Sequence, residues 1–173
     1  MIDPRRRLGE KYSENGYNGE KFVAAKRRRE MIKVEASVLI SRPVEEVFAF
    51  SNNPANSTKW QEGLVESRIT SQGPIGVGTQ ITDVRKFLGR DLDSKLEVIA
   101  YQPNKSITLK TVSGPIHFQI TQTYEVAEGG AKMTTIGEGE PGGLFKLAEG
   151  AVKKQFENQI QGDLARLKKV MEG

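Results

Sequence analysis

Side chains suited to acid–base or nucleophilic chemistry are sparse in this sequence. It holds one histidine, His117, and no cysteine, which excludes thiol nucleophiles, disulfides and Cys-ligated zinc. His117 lies in the stretch IHFQITQTYEV, where strand alternation places it on the face opposite Phe118 and Tyr124. We expect it to be an exposed strand residue, and no Ser-His-Asp or G-x-S-x-G pattern accompanies it.

The glycine-rich and acidic stretches carry no cofactor signature. GPIGVG at 73–78 lacks the Lys-Ser/Thr of a phosphate-binding loop and is followed by a strand pattern, so it predicts a turn. DLD at 91–93 is too short to indicate a calcium loop, although a carboxylate-only metal site stays open. The sequence therefore implies no cofactor and no metal.

Two polar side chains share a strand face with Phe118 and are candidates to orient a ligand. Gln122 and Tyr124 follow Phe118 at even spacing. The Tyr124 hydroxyl is expected either to meet a ligand carbonyl or to bond backbone as a core tyrosine. In TQITDVRKFL the register is ambiguous, because Ile81 and Phe87 compete with Val84 for the inner face, and no inward-facing Asp/Glu pair is assigned.

Length and composition fit one globular domain. The chain has 173 residues, of which 36% are hydrophobic and 28% charged. No apolar run approaches the roughly 18 residues of a membrane-spanning helix, and the first residues lack the apolar segment of a secretory signal. Together with the absence of cysteine, this pattern fits a cytoplasmic location.

The excess positive charge is confined to the start of the chain. Residues 1–30 hold nine Lys/Arg and five Asp/Glu, and the other residues hold 17 of each sign, which accounts for the net charge of +4. We expect residues 1–30 to be a basic, disordered leader and residues 31–173 to form the domain. The alternative is a basic arm for nucleic acid or membrane, but the balanced domain itself predicts no nucleic-acid binding.

The pattern changes from strand to helix around residue 40. IKVEASVLI alternates with period two, which is typical of a half-buried strand. Ser41 is expected to cap a short helix that has Pro43 at an early position. Asn52-Asn53-Pro54 ends that helix, and a second short helix brings the single tryptophan, Trp60, into place.

Six further strand patterns and one long helix complete the chain. The strands are separated by short Gly-, Pro- and Asn-containing turns, which favours an antiparallel meander. From residue 144 a 3.6-residue apolar period continues almost to the C-terminus. Gly162 lies inside this helix, where we expect it to permit a close approach to the sheet.

The sequence resembles the START-like helix-grip superfamily in five features. These are the strand ending in Ile40-Ser41-Arg42-Pro43, the Val47-Phe48 pair, Trp60 after an Asn-Pro break, the GPIGVG turn and the terminal helix. The similarity is greatest to the polyketide cyclase/dehydrase and lipid-transport group of this superfamily, and it covers Met31 to the C-terminus. It implies an α+β helix-grip fold, in which a curved seven-stranded antiparallel sheet wraps a long C-terminal helix, with two short helices after the first strand.

That fold implies a cavity between sheet and helix that binds a small hydrophobic molecule, such as a lipid, a polyketide-like compound or an aromatic metabolite. Two alternatives stay open: a cyclase/dehydrase-type enzyme that uses the same cavity, and a protein-interaction module with a filled core. A monomer or homodimer without a membrane span is expected. The candidate lining residues are Phe48, Trp60, Val84, Leu96, Leu109, Phe118, Gln122, Tyr124, Met133, Phe145, Ala148, Val152 and Phe156.

Overall fold

A computed structural model describes residues 32–87, 90–139 and 149–173, except for the side chains at 87, 149 and 152. The predicted leader at 1–30 and the candidates Phe145 and Ala148 lie outside the described residues, and so does the side chain of Val152. The strands are β1 (Ile32–Ile40), β2 (Leu64–Ile69), β3 (Gln80–Phe87), β4 (Arg90–Gln102), β5 (Ser106–Ser113), β6 (Phe118–Ala127) and β7 (Gly130–Gly139). The helices are α1 (Val44–Ser51), α2 (Pro54–Trp60) and α3 (Glu149–Glu172).

The seven strands form one antiparallel sheet in the order β1-β7-β6-β5-β4-β3-β2. The chain leaves β1 at one edge, crosses through α1 and α2 to β2 at the other edge, and then returns as a meander until β7 pairs with β1. Register shifts in β2 and within β4 mark bulges, which bend the sheet. The predicted α+β helix-grip architecture is confirmed.

The first helix begins differently from the prediction. It starts at Val44 directly after Pro43, and no side chain caps it. The backbone N–H of Ser41 instead donates to Glu172 Oε1 at 2.7 Å, so the prediction that Ser41 caps the helix is wrong. Asn53 does cap the second helix, because its side chain accepts from the Ala55 N–H at 3.1 Å.

The long helix α3 approaches the sheet at a glycine of β7. A Cβ atom added at Gly137 would come within 2.8 Å of the Phe156 ring and 3.0 Å of Ile160 Cδ1. At Gly162 an added Cβ would meet only the Arg166 guanidinium, at 3.8 Å. The prediction that Gly162 provides the close approach is therefore wrong, and the glycine that permits it belongs to the strand.

The ladder registers define one concave face of the sheet, on which α3 packs. From Gly137 the face runs across the sheet through Ile120, Leu109 and Val98. It then continues through Leu96 to Ile81 on β3. The fully buried core lies toward α1, α2 and the C-terminal half of α3, and its largest enclosed side chains are Ile40, Val47, Val98, Ile107, Met133 and Leu167.

Candidate functional site

The concave face has one half that is closely packed. Phe48 of α1 lies with its ring centroid 5.0 Å from that of Tyr124 in an edge-on contact, and Met133 beneath them is fully buried. Helix α1 packs on β6 and β7, and α3 packs on β1 and α2. Side chains of the protein itself fill this half.

The other half of the concave face is less covered. Its inward-facing residues on β4, β5 and β6 are only partly buried, although the register directs them to the same side as the core. A large apolar side chain that faces inward yet stays partly exposed indicates incomplete packing above it. We call this region the open half, and it comprises Leu92, Ser94, Leu109, Phe118 and Ile120.

Tyr124 belongs to a buried hydrogen-bond cluster that joins α1 to β6. Its hydroxyl donates to Gln122 Oε1 at 2.9 Å and accepts from Asn52 Nδ2 at 2.9 Å. It also lies 2.8 Å from Ser51 Oγ, which donates to the carbonyl of Val47 at 2.7 Å. Side chains, rather than the backbone considered in the sequence analysis, thus engage the hydroxyl.

Burial, the largest influence, raises the pKa of Tyr124 well above its ordinary value, while the hydrogen bonds with Ser51 and Asn52 lower it. A hydroxyl with such a pKa releases its proton reluctantly at neutral pH. With its partners in place, the group is suited to hold α1 against the sheet, and it is poorly suited to shuttle protons.

Asp83 is a buried carboxyl group on the concave face. It lies two residues from Ile81, pairs with Ser94 across β4 and with Ser67 across β2, and its side chain is 7% exposed. Oδ2 is 3.6 Å from Nη2 of Arg85. Oδ1 is buried and has no hydrogen-bond partner in the part of the chain that the structure describes.

Burial raises the pKa of Asp83 above its ordinary value, against smaller opposing effects of the neighbouring Ser67 hydroxyl and the Arg85 charge. The charged form is therefore disfavoured here relative to water. Arg85 is itself held in place, because it donates to the Gln61 side chain and to the Glu62 carbonyl, the latter at 3.5 Å. The pair forms a fixed polar site next to Ser94 of the open half.

Two further buried polar atoms lack a partner among the described residues, Thr135 Oγ1 and Trp60 Nε1. Thr135 lies on the concave face of β7, opposite Gln122 and Ala36. Buried donors and acceptors are nearly always satisfied by protein or by bound molecules. Each of these atoms is therefore a point at which a water or a ligand group gains a hydrogen bond.

Trp60 is fixed by a polar cluster between α2 and α3. Arg166 donates from Nε to the Trp60 carbonyl at 3.0 Å and from Nη2 to Asp163 Oδ1 at 2.6 Å. The same carboxylate oxygen accepts from the Glu62 N–H at 2.8 Å and from Gln159 Nε2 at 3.1 Å. The ring is buried within the core, so the cluster sets where the indole sits.

The structure brings most of the predicted lining residues to the concave face. Those within the packed core are Phe48, Trp60, Tyr124 and Met133, with Gln122 bonded to Tyr124. Leu109 and Phe118 belong to the open half, Leu96 lies between it and Ile81, and Phe156 packs over Gly137. Val84 departs from the prediction, because it pairs with Asp93 and Glu66 on the opposite face from Ile81.

Sequence reasoning missed Asp83, the buried carboxyl of this face. The signal was present in Ile81, Asp83 and Arg85, which alternate on one side of β3. It was masked because Val84 offered an equally apolar alternative for the inner position. His117 is exposed, as predicted.

Other kinds of site find no support in residues 32–87, 90–139 and 149–173. No three His, Asp or Glu side chains within those ranges are grouped to hold a metal ion, and no helix there is long and apolar enough to cross a membrane. A surface groove beside α3 is open to solvent, with Glu62, Ala151, Lys154, Gln155, Asn158 and Gln159 around it. It does not offer the enclosed apolar surface of a small-molecule site.

Comparison with known proteins agrees with this geometry. The family model described as polyketide cyclase / dehydrase and lipid transport matches residues 31–172. No curated protein matches the sequence closely enough to count as a relative.

Solved structures share the fold at low sequence identity. The Zhui aromatase/cyclase from Streptomyces sp. R1128 superposes with a TM-score of 0.67 at 12% identity, over 83% of this chain and 94% of that one. A protein from Thermus thermophilus gives 0.68 at 14% identity, over 79% and 94%. One from Chromobacterium violaceum gives 0.63 at 17% identity, over 82% and 98%.

Proposed function

Since the chain belongs to the polyketide cyclase/dehydrase and lipid-transport family, we propose that it binds a small hydrophobic molecule between the sheet and α3. The site is the open half of the concave face. The apolar body of the ligand rests on Leu109, Phe118 and Ile120, and burial of that surface supplies the affinity at about 25 cal/mol per Å².

One observation carries the proposal: the inward-facing apolar side chains of the open half are only half buried, while those of the packed half are enclosed. A protein-interaction module with a filled core would bury both halves alike. The unpartnered atoms Asp83 Oδ1 and Thr135 Oγ1 add polar points on the same face. This combination of a mainly apolar lining with a few placed polar groups is typical of ligand sites.

The test uses Nile red, an uncharged dye whose emission rises in apolar surroundings. We expect saturable binding by the wild-type protein and loss of at least tenfold in affinity for Leu109→Trp, which places a bulky ring in the open half. Val112→Trp makes a similar change at an exposed position of the same strand and should bind as the wild type does. If both variants bind Nile red equally well, the dye binds elsewhere and the proposed site is wrong.

Native mass spectrometry of the protein from its own host supplies an independent readout. A co-purifying lipid or aromatic metabolite would identify the ligand class directly. Addition of that compound should also shift the emission of Trp60, the single tryptophan, because the indole is buried in the adjoining core.

A cyclase/dehydrase-type enzyme is the second candidate, and Asp83 is the observation that favours it. A buried carboxyl with a raised pKa has the character of a general acid–base group. If the protein is such an enzyme, the wild type should convert a polyketide-like substrate, and Asp83→Asn should bind this substrate without converting it. If both proteins bind such a compound and neither converts it, the chain acts as a carrier or sensor. Cytoplasmic location and a monomeric or homodimeric state stay predictions.

A further inference from the structure

We propose that Asp83 Oδ1 accepts a hydrogen bond from a hydroxyl group on an uncharged, otherwise apolar ligand in the open half. This inference rests on the proposed function and narrows it to a ligand class, namely ring-containing or aliphatic molecules that carry a hydroxyl donor. Three features of the site support it: where the carboxyl lies, what already occupies its other oxygen, and what its free oxygen requires.

The position of Asp83 places the carboxyl at the margin of the open half. Ser94, its cross-strand partner on β4, is a half-buried member of that half. Leu92 lies two residues from Ser94 and Leu96 two residues beyond on the same face. Asp83 therefore lies beside the edge of the apolar floor on which a ligand would rest.

The second oxygen already has a positive partner. Oδ2 lies 3.6 Å from the Arg85 guanidinium, and that guanidinium is fixed by the Gln61 side chain and the Glu62 carbonyl. The pair as a whole is close to neutral, so a cationic ligand would meet no uncompensated negative charge. A ligand cation would also lose its hydration on entering an apolar site, which is costly without a full counter-charge.

The free oxygen requires a donor. Oδ1 is buried without a partner among the described residues, and an ionised carboxylate only accepts hydrogen bonds. In this ionised form Asp83 would repel a carbonyl or ether oxygen of the ligand, whereas a ligand O–H group would supply the missing hydrogen bond. A hydrogen bond to a charged group is stronger than one between neutral groups, so the preference for a hydroxylated ligand should be measurable.

The experiment compares two probes of similar shape, 2-naphthol and 2-methylnaphthalene, by displacement of Nile red from the full chain. We expect the wild-type protein to bind 2-naphthol about tenfold more tightly than 2-methylnaphthalene. In Asp83→Asn the preference should fall to about threefold or less, through loss of 2-naphthol affinity alone. Asp93→Asn, the same change on the convex face of β4, should keep the wild-type preference.

The outcomes separate this inference from the proposed function. If the wild type binds both probes equally, or if Asp83→Asn weakens both equally, the hydroxyl contact is wrong and hydrophobic binding stands. If neither probe displaces the dye, the site itself is wrong and the contact fails with it. The wild-type comparison needs no variant, so equal binding of the two probes would overturn the contact even if Asp83→Asn does not fold.

Discussion

At the scale of single residues, the polar groups of the concave face divide into two kinds. Tyr124 and Gln122 bond to each other, and Tyr124 also bonds to α1 and the residue after it, so they stabilise the fold. Asp83 and Thr135 each keep a buried oxygen without a partner among the described residues. Apolar groups of the same shape are nearly neutral or stabilising at such positions, so we expect Asp83 and Thr135 to lower the stability of the ligand-free protein.

The ligand-free stability of the protein should depend on Asp83 and on pH. Its pKa is raised by burial in the folded protein above the ordinary value of 3.8, so the folded state holds the proton more tightly than the unfolded chain. The free energy of unfolding therefore falls as pH rises through the window between the two pKa values. Asp83→Asn removes this dependence and should be more stable than the wild type at about pH 7.5.

Urea denaturation of the two proteins from about pH 3 to about pH 8 checks this expectation. The increase in unfolding free energy of Asp83→Asn over the wild type should be small below pH 3.8, where the carboxyl is neutral in the folded and unfolded states. It should be largest near neutral pH. The charged group facing Asp83 is Arg85 of its own strand, which stays charged throughout the range. A variant that is less stable near neutral pH would mean that the ion pair outweighs the burial of the carboxylate.

Thr135 offers a test with almost no change in shape. Thr135→Val removes an unpartnered buried hydroxyl, and we expect a gain of about 1 kcal/mol in the free energy of unfolding without ligand. Thr134→Val is the matched control, because the Thr134 hydroxyl lies 2.9 Å from Ser37 Oγ on the other face and its loss should cost up to about 1 kcal/mol. Chemical denaturation would contradict the idea if Thr135→Val were the less stable variant.

At the scale of elements, the order and type of the described strands and helices could be predicted from the sequence, because hydrophobic periods are local properties. The sequence did not predict the register of β3, because Ile81 and Val84 are both apolar and face opposite sides. Only pairing with Leu96 of β4 decides which of them is buried, and that pairing is a long-range contact. For the same reason the sequence did not indicate that Asp83 faces inward. It also did not show that the helix approaches the sheet at Gly137 rather than at Gly162.

Gly137 should be the least replaceable glycine at the helix–sheet contact. Gly137→Ala places a methyl group 2.8 Å from the Phe156 ring, so the ring or the helix must move, at a cost of about 1–3 kcal/mol in unfolding free energy. Gly139→Ala is the control, since its added Cβ meets no atom closer than 3.4 Å. Thermal denaturation should show partial rescue of Gly137→Ala by Phe156→Leu, and equal melting of the two alanine variants would overturn the assignment.

Asp163 should fix the α2–α3 junction. Its Oδ1 accepts from Arg166, Glu62 and Gln159, and its side chain is 13% exposed. Asp163→Ala leaves these donors without their acceptor, and we expect a loss of about 2–3 kcal/mol in unfolding free energy and a red shift of Trp60 emission. Glu62→Gln, at a side chain 66% exposed, should cost about 0.5 kcal/mol or less. A similar small loss for both variants would mean that Asp163 does not hold the junction.

At the scale of the whole molecule, the proposed function follows from an uneven covering of a bent sheet. The long helix α3 packs on β1 and α2 and approaches β7 at Gly137, while the residues of the open half on β4, β5 and β6 stay only partly buried. The bulges in β4 increase the bend on that side. In the proposed function the ligand occupies the side of this curved sheet that α3 covers less. The inward-facing side chains of the open half then determine which ligand chemistry is accepted.

The predicted leader provides a test of where the domain begins. All seven strands and three helices of the described structure lie between Ile32 and Glu172, and residues 1–30 hold the whole excess of positive charge. Removal of residues 1–30 should therefore leave the free energy of unfolding within about 0.5 kcal/mol and Nile red affinity unchanged, while retention on a cation-exchange column decreases. The basic-arm alternative would be established if the full chain binds DNA or anionic vesicles, if salt weakens this binding, and if the shortened chain does not bind. A loss above about 1 kcal/mol would mean that part of the leader packs on the domain, because only buried contacts of the removed residues stabilise the fold to that extent.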